Sequence, residues 1–484
     1  MSDAGLPADA DDAMLPGDRI DRGRLQRTVP LVALSARIAG EAVVAGLRSK
    51  LTGVDNSEFH VRTAERYTEL LGRSKGALMK AGQILSYSAV NPVVPAEFQP
   101  IYQASLARLR SEAPPMAPEL ARITLEHELG CETESAFAEL DWEPLAAASI
   151  GQVHLARLHD GREVAVKVQY PGVAEAIHAD LKNAELLTTF LSLLLGGLVT
   201  RRPKFDLNGA ARELSVRITE ELDYRLEAAN QAEFAEHYRG HPFIHVPAVV
   251  GELSTARVLT QELARGLPWS DGLNAGQELR DQWAEAIWRF TYGSYRRMHM
   301  FNADPHPGNY VLHEDGSVSF LDFGCVKRFS CEQIEVIDAI ARACLREDVL
   351  GTWRMCVEAG FFDSSDPVTA EEAFAYLRGD WEMFREGRQF TITPAYVARW
   401  IELRLSPNGP SANAFRHFKL APEYTFAGRM ELGLVSVIAQ LHASNRWGAM
   451  AAEHLQDAAP STAMGEREHE FFEERQRGER CLTG

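Results

Sequence analysis

The sequence predicts an α+β fold in two lobes, a small sheet with a long helix ahead of a helix-rich second half. Short β-type runs on either side of a turn signal, SIGQVHLARL, HDGRE and VAVKVQY, make a hairpin that ends at Pro171-Gly172. Helical patterns follow, at about Ala174 to Leu194 and from Leu207 to about His237. Beyond Gly266 the helical pattern is broken by NADPHPGNYVLHEDGSVSFLDFG, where strands YVL and VSFLDF flank the turn Glu314-Asp315-Gly316-Ser317. A chain of 484 residues, 45% hydrophobic, also exceeds what one growing core accommodates, so at least two packed lobes are expected.

Taken in order, residues 1–24 are rich in Asp and small residues, lack the basic-then-apolar pattern of a secretory signal, and read as a disordered acidic start. Residues 25–130 read as a helical extension, with runs LVALSARIAGEAVVAGLRSKL and SEFHVRTAERYTELLGRSKGALMKAGQILSYSA. Pro92, Pro95, Pro114 and Pro115 break it before PELARITLEHELG, which ends on Gly130. Residues 131–266 hold the hairpin, the long helices and two further strand-like runs, VPAVVGEL and ARVLTQEL, around Ser254-Thr255. Residues 267–458 form the helical lobe, and 459–484, dense in charge, read as a frayed helix or tail.

A net charge of -18 and a pI near 5.4 oppose the broad basic surface that nucleic-acid binding needs. Six cysteines without CxxC pairing or zinc-finger spacing read as free thiols of a reducing cytoplasm. The most apolar run, Leu186 to Val199, is shorter than the roughly 18 residues a membrane span requires. A cytoplasmic chain, or one peripheral at a membrane surface, is expected.

The chemistry is concentrated in Asp304-Pro305-His306-Pro307-Gly308-Asn309 and Asp322-Phe323-Gly324. In protein kinases a catalytic-loop Asp is followed five residues later by a metal-binding Asn, and a hairpin then leads to DFG. Asp304 and Asn309 have that spacing. Phosphoryl transfer needs such residues because Mg²⁺ wants hard oxygen ligands, here Asn309 and Asp322, while Asp304 orients or deprotonates the attacking group. Upstream, Val164-Ala165-Val166-Lys167 matches the strand-borne lysine that contacts the nucleotide phosphates. Lys167 requires a helical carboxylate, and EELDYRLEAAN supplies Glu220, Glu221, Asp223 and Glu227. On a continuous helix Glu221 points roughly 120° away from Glu227, so Glu227 is favoured as the partner. Between the lobes, the backbone of Glu262 and Leu263 fits a hinge that meets an adenine ring.

No glycine-rich loop precedes Val164; AAASIGQVH stands there instead. With KAGQ at Lys80 to Gln83 and ELDY at Glu221 to Tyr224, the chain from about Leu25 to about Ala443 resembles the UbiB/AarF/ADCK atypical kinases. The resemblance implies a protein-kinase-like fold binding ATP or ADP with Mg²⁺. It implies an alanine-rich loop over the nucleotide, here Ala146, Ala147, Ala148 and Ser149. It further implies that Lys80 and Gln83 lie on an extension folded over the site, near the acids Glu221 and Asp223. Family activity is ATPase or unorthodox kinase activity in ubiquinone and other isoprenoid-lipid metabolism, near membranes, so the implied partners are a nucleotide and an isoprenoid or quinone-precursor lipid. The chain departs from the family pattern at Asn302, where a His is common, and at Leu109-Arg110-Ser111-Glu112. A nucleotide-binding lipid chaperone without turnover and an ordinary protein kinase are the alternatives. The second is disfavoured because CVKRFSCEQIEVIDAIARACL follows Gly324 without an APE motif.

Overall fold

The computed structural model describes residues 115–148, 150–182, 188, 207–379, 381–384, 388–405, 409–419 and 424–483. The expectations for residues 1–114, including Lys80 and Gln83, for Ser149 and for most of Leu186 to Val199 lie outside them.

The chain enters the first lobe through α1 (Pro118–Leu129), closed by Gly130 in the left-handed region, and the single turn α2 (Thr133–Ala136). Strands β1 (Glu139–Leu140), β2 (Ala146–Ala147), β3 (Gly151–Arg157) and β4 (Glu163–Gln169) follow, then α3 (Val173–Leu181), α4 (Leu207–Glu220) and α5 (Tyr224–His237). After β5 (Ile244–His245) comes β6 (Val258–Glu262), which completes an antiparallel sheet in the order β1-β3-β4-β6 with β2 on β3. The alternating valines Val164, Val166 and Val168 of β4 are buried on one face, as a half-buried strand requires. They meet Leu120, Ala121 and Leu125 of α1 in a single core. Helix α1 therefore packs as part of the sheet lobe, although the sequence pattern groups it with the extension. The run VPAVVGEL, expected as a strand, contributes an isolated bridge, Val249 to Gln261, and a 3-10 turn at Gly251–Leu253. Pro247 has no N–H to donate to a ladder.

The second lobe begins with α6 (Trp269–Gly272) and the long α7 (Gln277–Met298), which ends on His299 with φ 54. Strands β7 (Met300–Asn302), β8 (Tyr310–Leu312), β9 (Val318–Phe320) and β10 (Val326–Arg328) carry the motifs. β7 pairs with β10, and β9 lies between β8 and β5. Helices α8 (Cys331–Leu345), α9 (Val349–Glu358) and α10 (Ala370–Arg378) come next, then β11 (Phe390–Thr391), α11 (Pro394–Leu405), α12 (Ala412–His417), α13 (Thr425–Gln440), β12 (Ser444–Asn445), α14 (Trp447–Leu455) and α15 (Ala463–Thr483). The main core joins Trp283, Ile287 and Trp288 of α7 to Leu312, Val318, Phe320 and Leu434. Phe234 of α5 and the adjoining Tyr238, Phe243 and Ile244 enter this same core, so α5 bridges the sheet lobe to the helical lobe.

Two expectations are corrected here. The helix from Leu207 to His237 is interrupted: residues 221–223 leave the helix, and Asp223 caps α5 by accepting from the Arg225 N–H at 3.0 Å. Tertiary hydrogen bonds hold the break, with the Gln169 amide on the Leu222 carbonyl at 2.9 Å and the Tyr224 N–H on the Ala256 carbonyl at 2.9 Å. The charged C-terminal segment, expected as a frayed helix or tail, is a docked helix, since α15 buries Met464 and Glu468 against the helical lobe.

Candidate functional site

Lys167 lies near the middle of β4, paired with Leu259 of β6 on one side and Val153 of β3 on the other. Its ammonium donates to both Glu227 oxygens, at 2.9 and 3.0 Å, and lies 3.9 Å from the Asp322 carboxylate. It also sits 4.8 Å above the Tyr224 ring. Burial pulls the Lys167 pKa down, but the Glu227 and Asp322 carboxylates outweigh this and raise it above its ordinary value. The lysine is thus held charged. Glu227 is 6% exposed, and its carboxylate has a fixed partner rather than water.

The break before α5 brings Glu221 back to this place. A Cβ on Gly324 would lie 3.6 Å from Glu227 Oε2 and 3.8 Å from Glu221 Cγ, so both acids border the glycine of DFG. The angular separation expected of a continuous helix does not apply. Asp223 has a different setting, paired with the Arg225 guanidinium at 3.1 Å and serving as the α5 cap.

The Asp304 loop and DFG adjoin the same end of one small ribbon. β7 runs into Asp304, DFG runs into β10, and Asn302 stands opposite Val326 in the pairing. Asn302 donates to the Asp322 carbonyl and accepts from the Asp304 N–H at 3.0 Å. Sequence reading left this residue's role open; its amide ties one motif's backbone to the other's. Asn309 donates through Nδ2 to the Asp304 carbonyl at 3.0 Å and to its carboxylate at 3.4 Å, and its own carbonyl accepts from Leu321 at 3.0 Å. Asp322 accepts the Gly324 N–H at 3.0 Å. Phe323, fully buried, packs on Phe234 of α5 with ring centroids 5.0 Å apart, and Asn230 of α5 donates to its carbonyl at 3.2 Å. The glutamate-bearing helix and DFG are therefore positioned together.

With Asn309 Nδ2 committed to Asp304, its Oδ1 and the half-exposed Asp322 carboxylate are hard oxygen donors on neighbouring loops. Among the described residues no group of three or more His, Cys, Asp or Glu is placed to hold a metal. Such a donor set suits Mg²⁺, which keeps waters and takes further oxygens from phosphates.

Ala146 and Ala147 form β2, exposed and paired with Val153 and Gln152, and Ala148 donates to the Gly151 carbonyl at 2.8 Å. Gly151 lies so close to β4 that a Cβ there would be 2.2 Å from the Val168 carbonyl oxygen. At the expected hinge, the Glu262 N–H donates to Ala248 at 2.9 Å and the Leu263 N–H to Glu163 at 3.1 Å. Both of these N–H groups are thus bonded to neighbouring backbone.

Residues 108–355 match the family model described as the ABC1 atypical kinase-like domain. The chain is 36% identical over 283 residues to the mitochondrial atypical kinase COQ8B of Rattus norvegicus, covering 57% of this chain and 51% of that one. It is 30% identical over 376 residues to the mitochondrial atypical kinase coq-8 of Caenorhabditis elegans, covering 75% and 48%. The chain thus spans about half the length of the curated relatives it matches. Among solved structures it is similar to Rv3197 of Mycobacterium tuberculosis, solved in complex with erythromycin, with a TM-score of 0.58, 31% identity, and 86% of this chain and 98% of that one covered. The architecture is α+β and protein-kinase-like. No helix among the described residues is long and apolar enough to cross a membrane.

Proposed function

Because the chain belongs to the ABC1 atypical kinase-like domain family, we propose that it binds Mg-ATP or Mg-ADP between its lobes and acts as an atypical kinase or ATPase serving quinone or other isoprenoid-lipid metabolism. The observation that carries this reading is the Lys167–Glu227 ion pair, which presents a charged lysine 3.9 Å from Asp322. Lys167 would hold the nucleotide phosphates, Asn309 and Asp322 would hold Mg²⁺, and Asp304 would accept a proton from, or orient, the attacking group. Bound Mg²⁺ would supply charge neutralisation at the phosphate oxygens. Ala146, Ala147, Ala148 and Ser149 would cover the nucleotide where other kinases use glycines.

A peptide acceptor is disfavoured by the course of the chain after Gly324. Val326–Arg328 pairs with β7 and leads at once into α8, which Ser330 and Gln333 close with reciprocal capping bonds of 3.2 and 2.9 Å. That leaves little chain for a peptide-docking segment. For the extension, Lys80 and Gln83 would fold over the site near the acids Glu221 and Asp223, as the family resemblance implies. A lipid or membrane partner rests on the family likeness.

A second reading, a module that holds a bulky lipophilic molecule without turnover, is supported by the erythromycin complex of the solved relative. Mg-ATP hydrolysis, measured with and without anionic liposomes and quinone-precursor-like phenols, separates the two. Turnover that is lost in Asp304→Asn supports the enzyme. Tight nucleotide binding with no turnover under any of these conditions favours the second reading.

A further inference from the structure

The helix α15 crosses the far end of the helix that carries Glu227, and we propose that Arg475 is a positioning residue that fixes Glu227 through α5. This rests on the reading that the Lys167–Glu227 pair serves a nucleotide. A helix ends with carbonyl groups that have no partner inside it, and its C-terminus favours a cation. The Arg475 guanidinium meets both needs, donating to the Glu236 and His237 carbonyls at 2.9 Å each. It also lies 3.7 Å from the Glu236 carboxylate. Beside it Phe472 packs on His237 at 5.2 Å and Phe471 on His241 at 4.9 Å, and Arg467 donates to the Pro242 carbonyl at 3.0 Å.

The brace has a rigid foundation. Arg289 of α7, 1% exposed, binds Glu468 of α15 at 2.9 Å together with Glu285 and Glu453. Arg297, also of α7, binds the other Glu468 oxygen at 2.9 Å and lies 4.0 Å over the Phe472 ring. Removing one member of such a buried set strands the others, so α15 is held in one place. Glu227 lies about 14 Å along the α5 axis from Glu236, at 1.5 Å per residue. The helix transmits a tilt at its C-terminal end to that carboxylate, and a pair with both contacts at 2.9 to 3.0 Å tolerates little displacement. Residues 463–483 lie beyond the 108–355 matched by the family model, so the brace is added to that domain from outside it.

The test uses the full chain with Arg475→Ala, Arg475→Lys, Glu227→Gln and the Arg475→Ala, Glu227→Gln double variant. Mg-ADP affinity is read by titration, and hydrogen exchange is followed across residues 224–237. Arg475→Ala is expected to weaken Mg-ADP roughly fivefold or more, the lower end of ordinary coupling between sites. It should also speed exchange along α5, with an intermediate effect for Arg475→Lys. In the Glu227→Gln background the same change should cost nothing further, because its route to the nucleotide has been cut. An equal further loss in that background, or unchanged affinity in folded Arg475→Ala, overturns the proposal. Should Arg475→Ala not fold, Arg475→Lys carries the same cycle. If Glu227→Gln alone leaves affinity unchanged, the nucleotide reading of the pair falls first and takes this proposal with it.

Discussion

Asn302 donates its side-chain amide to the carbonyl of Asp322, while its oxygen receives the Asp304 N–H at 3.0 Å. One short side chain thereby spaces the two loops on which the chemistry depends. Asn302→Ala leaves a part-buried carbonyl and N–H without these partners, at an expected cost of about 1–3 kcal/mol. Turnover should fall by more than nucleotide affinity, since Asp304 loses its anchor while Lys167 keeps Glu227. Asn302→His should recover much of the loss, because a ring nitrogen can replace at least one bond. Urea unfolding and Mg-ATP hydrolysis of both variants check this, and a fully active Asn302→Ala would refute it.

The two loop carboxylates should separate cleanly by assay. Asp322→Asn is expected to remove most metal-dependent nucleotide binding, because a neutral amide replaces the charge beside Mg²⁺. Asp304→Asn should leave binding largely intact and lower turnover by roughly a hundredfold, as loss of a general base does. Equal loss of binding in both variants would give Asp304 a metal-holding or structural role instead.

Much of this site was legible because its parts are local. The Val164-Ala165-Val166-Lys167 alternation needs only strand period, and Asp304, Asn309 and Asp322 need only spacing within one hairpin. The break at 221–223 was not legible, since Glu220-Glu221-Leu222-Asp223 has nothing local to forbid a helix. Distant partners impose it, Gln169 on Leu222 and Ala256 on Tyr224. Docking of α15 was hidden for the same reason. Its charge density reads as a solvated face until Arg289 and Arg297, far away in sequence, are found at Glu468. The pair Phe471-Phe472 within that charge was the one sequence signal that could have found it.

Gly151 ties the alanine-rich segment to β4 through a close backbone approach. A methyl there would sit 2.2 Å from the Val168 oxygen, and that atom is backbone, so the strands must part. Gly151→Ala is expected to cost about 1–3 kcal/mol by overpacking. Because Ala148 hangs from the Gly151 carbonyl, nucleotide affinity should drop with stability, whereas Gly161→Ala, on the opposite hairpin turn with φ 89, should reduce stability alone. Parallel melting and Mg-ADP titration of the two variants distinguish the effects, and unaltered affinity in Gly151→Ala would remove the loop from the site.

Acid should loosen the braced end of α5 before the carboxylates titrate. Burial, then the Arg297 and Arg475 charges, pushes the His237 pKa down to about 4. Burial, then Arg297, pushes His241 down to about 2. Burial, then Arg297 and Arg289, holds His454 well below the ordinary value. All three have a buried Nε2 with no hydrogen-bond partner among the described residues, and the His241 Nδ1 accepts the Phe243 and Ile244 N–H groups, so a second proton on that ring would displace them. The sign follows from linkage: the unfolded chain takes up these protons near pH 6.5 while the folded chain refuses them. The stabilisation is complete above about pH 6.5 and is lost as pH falls, at up to ~1.4 kcal/mol per pH unit for each group. For His237 the window closes at about 4. Urea midpoints should therefore be flat from pH 8 to 7 and decline from 6.5 to 5. His237→Phe, which keeps an aromatic ring against Phe472, should make that decline shallower. Equal stability at pH 7 and pH 5 would show that the folded chain admits these protons after all.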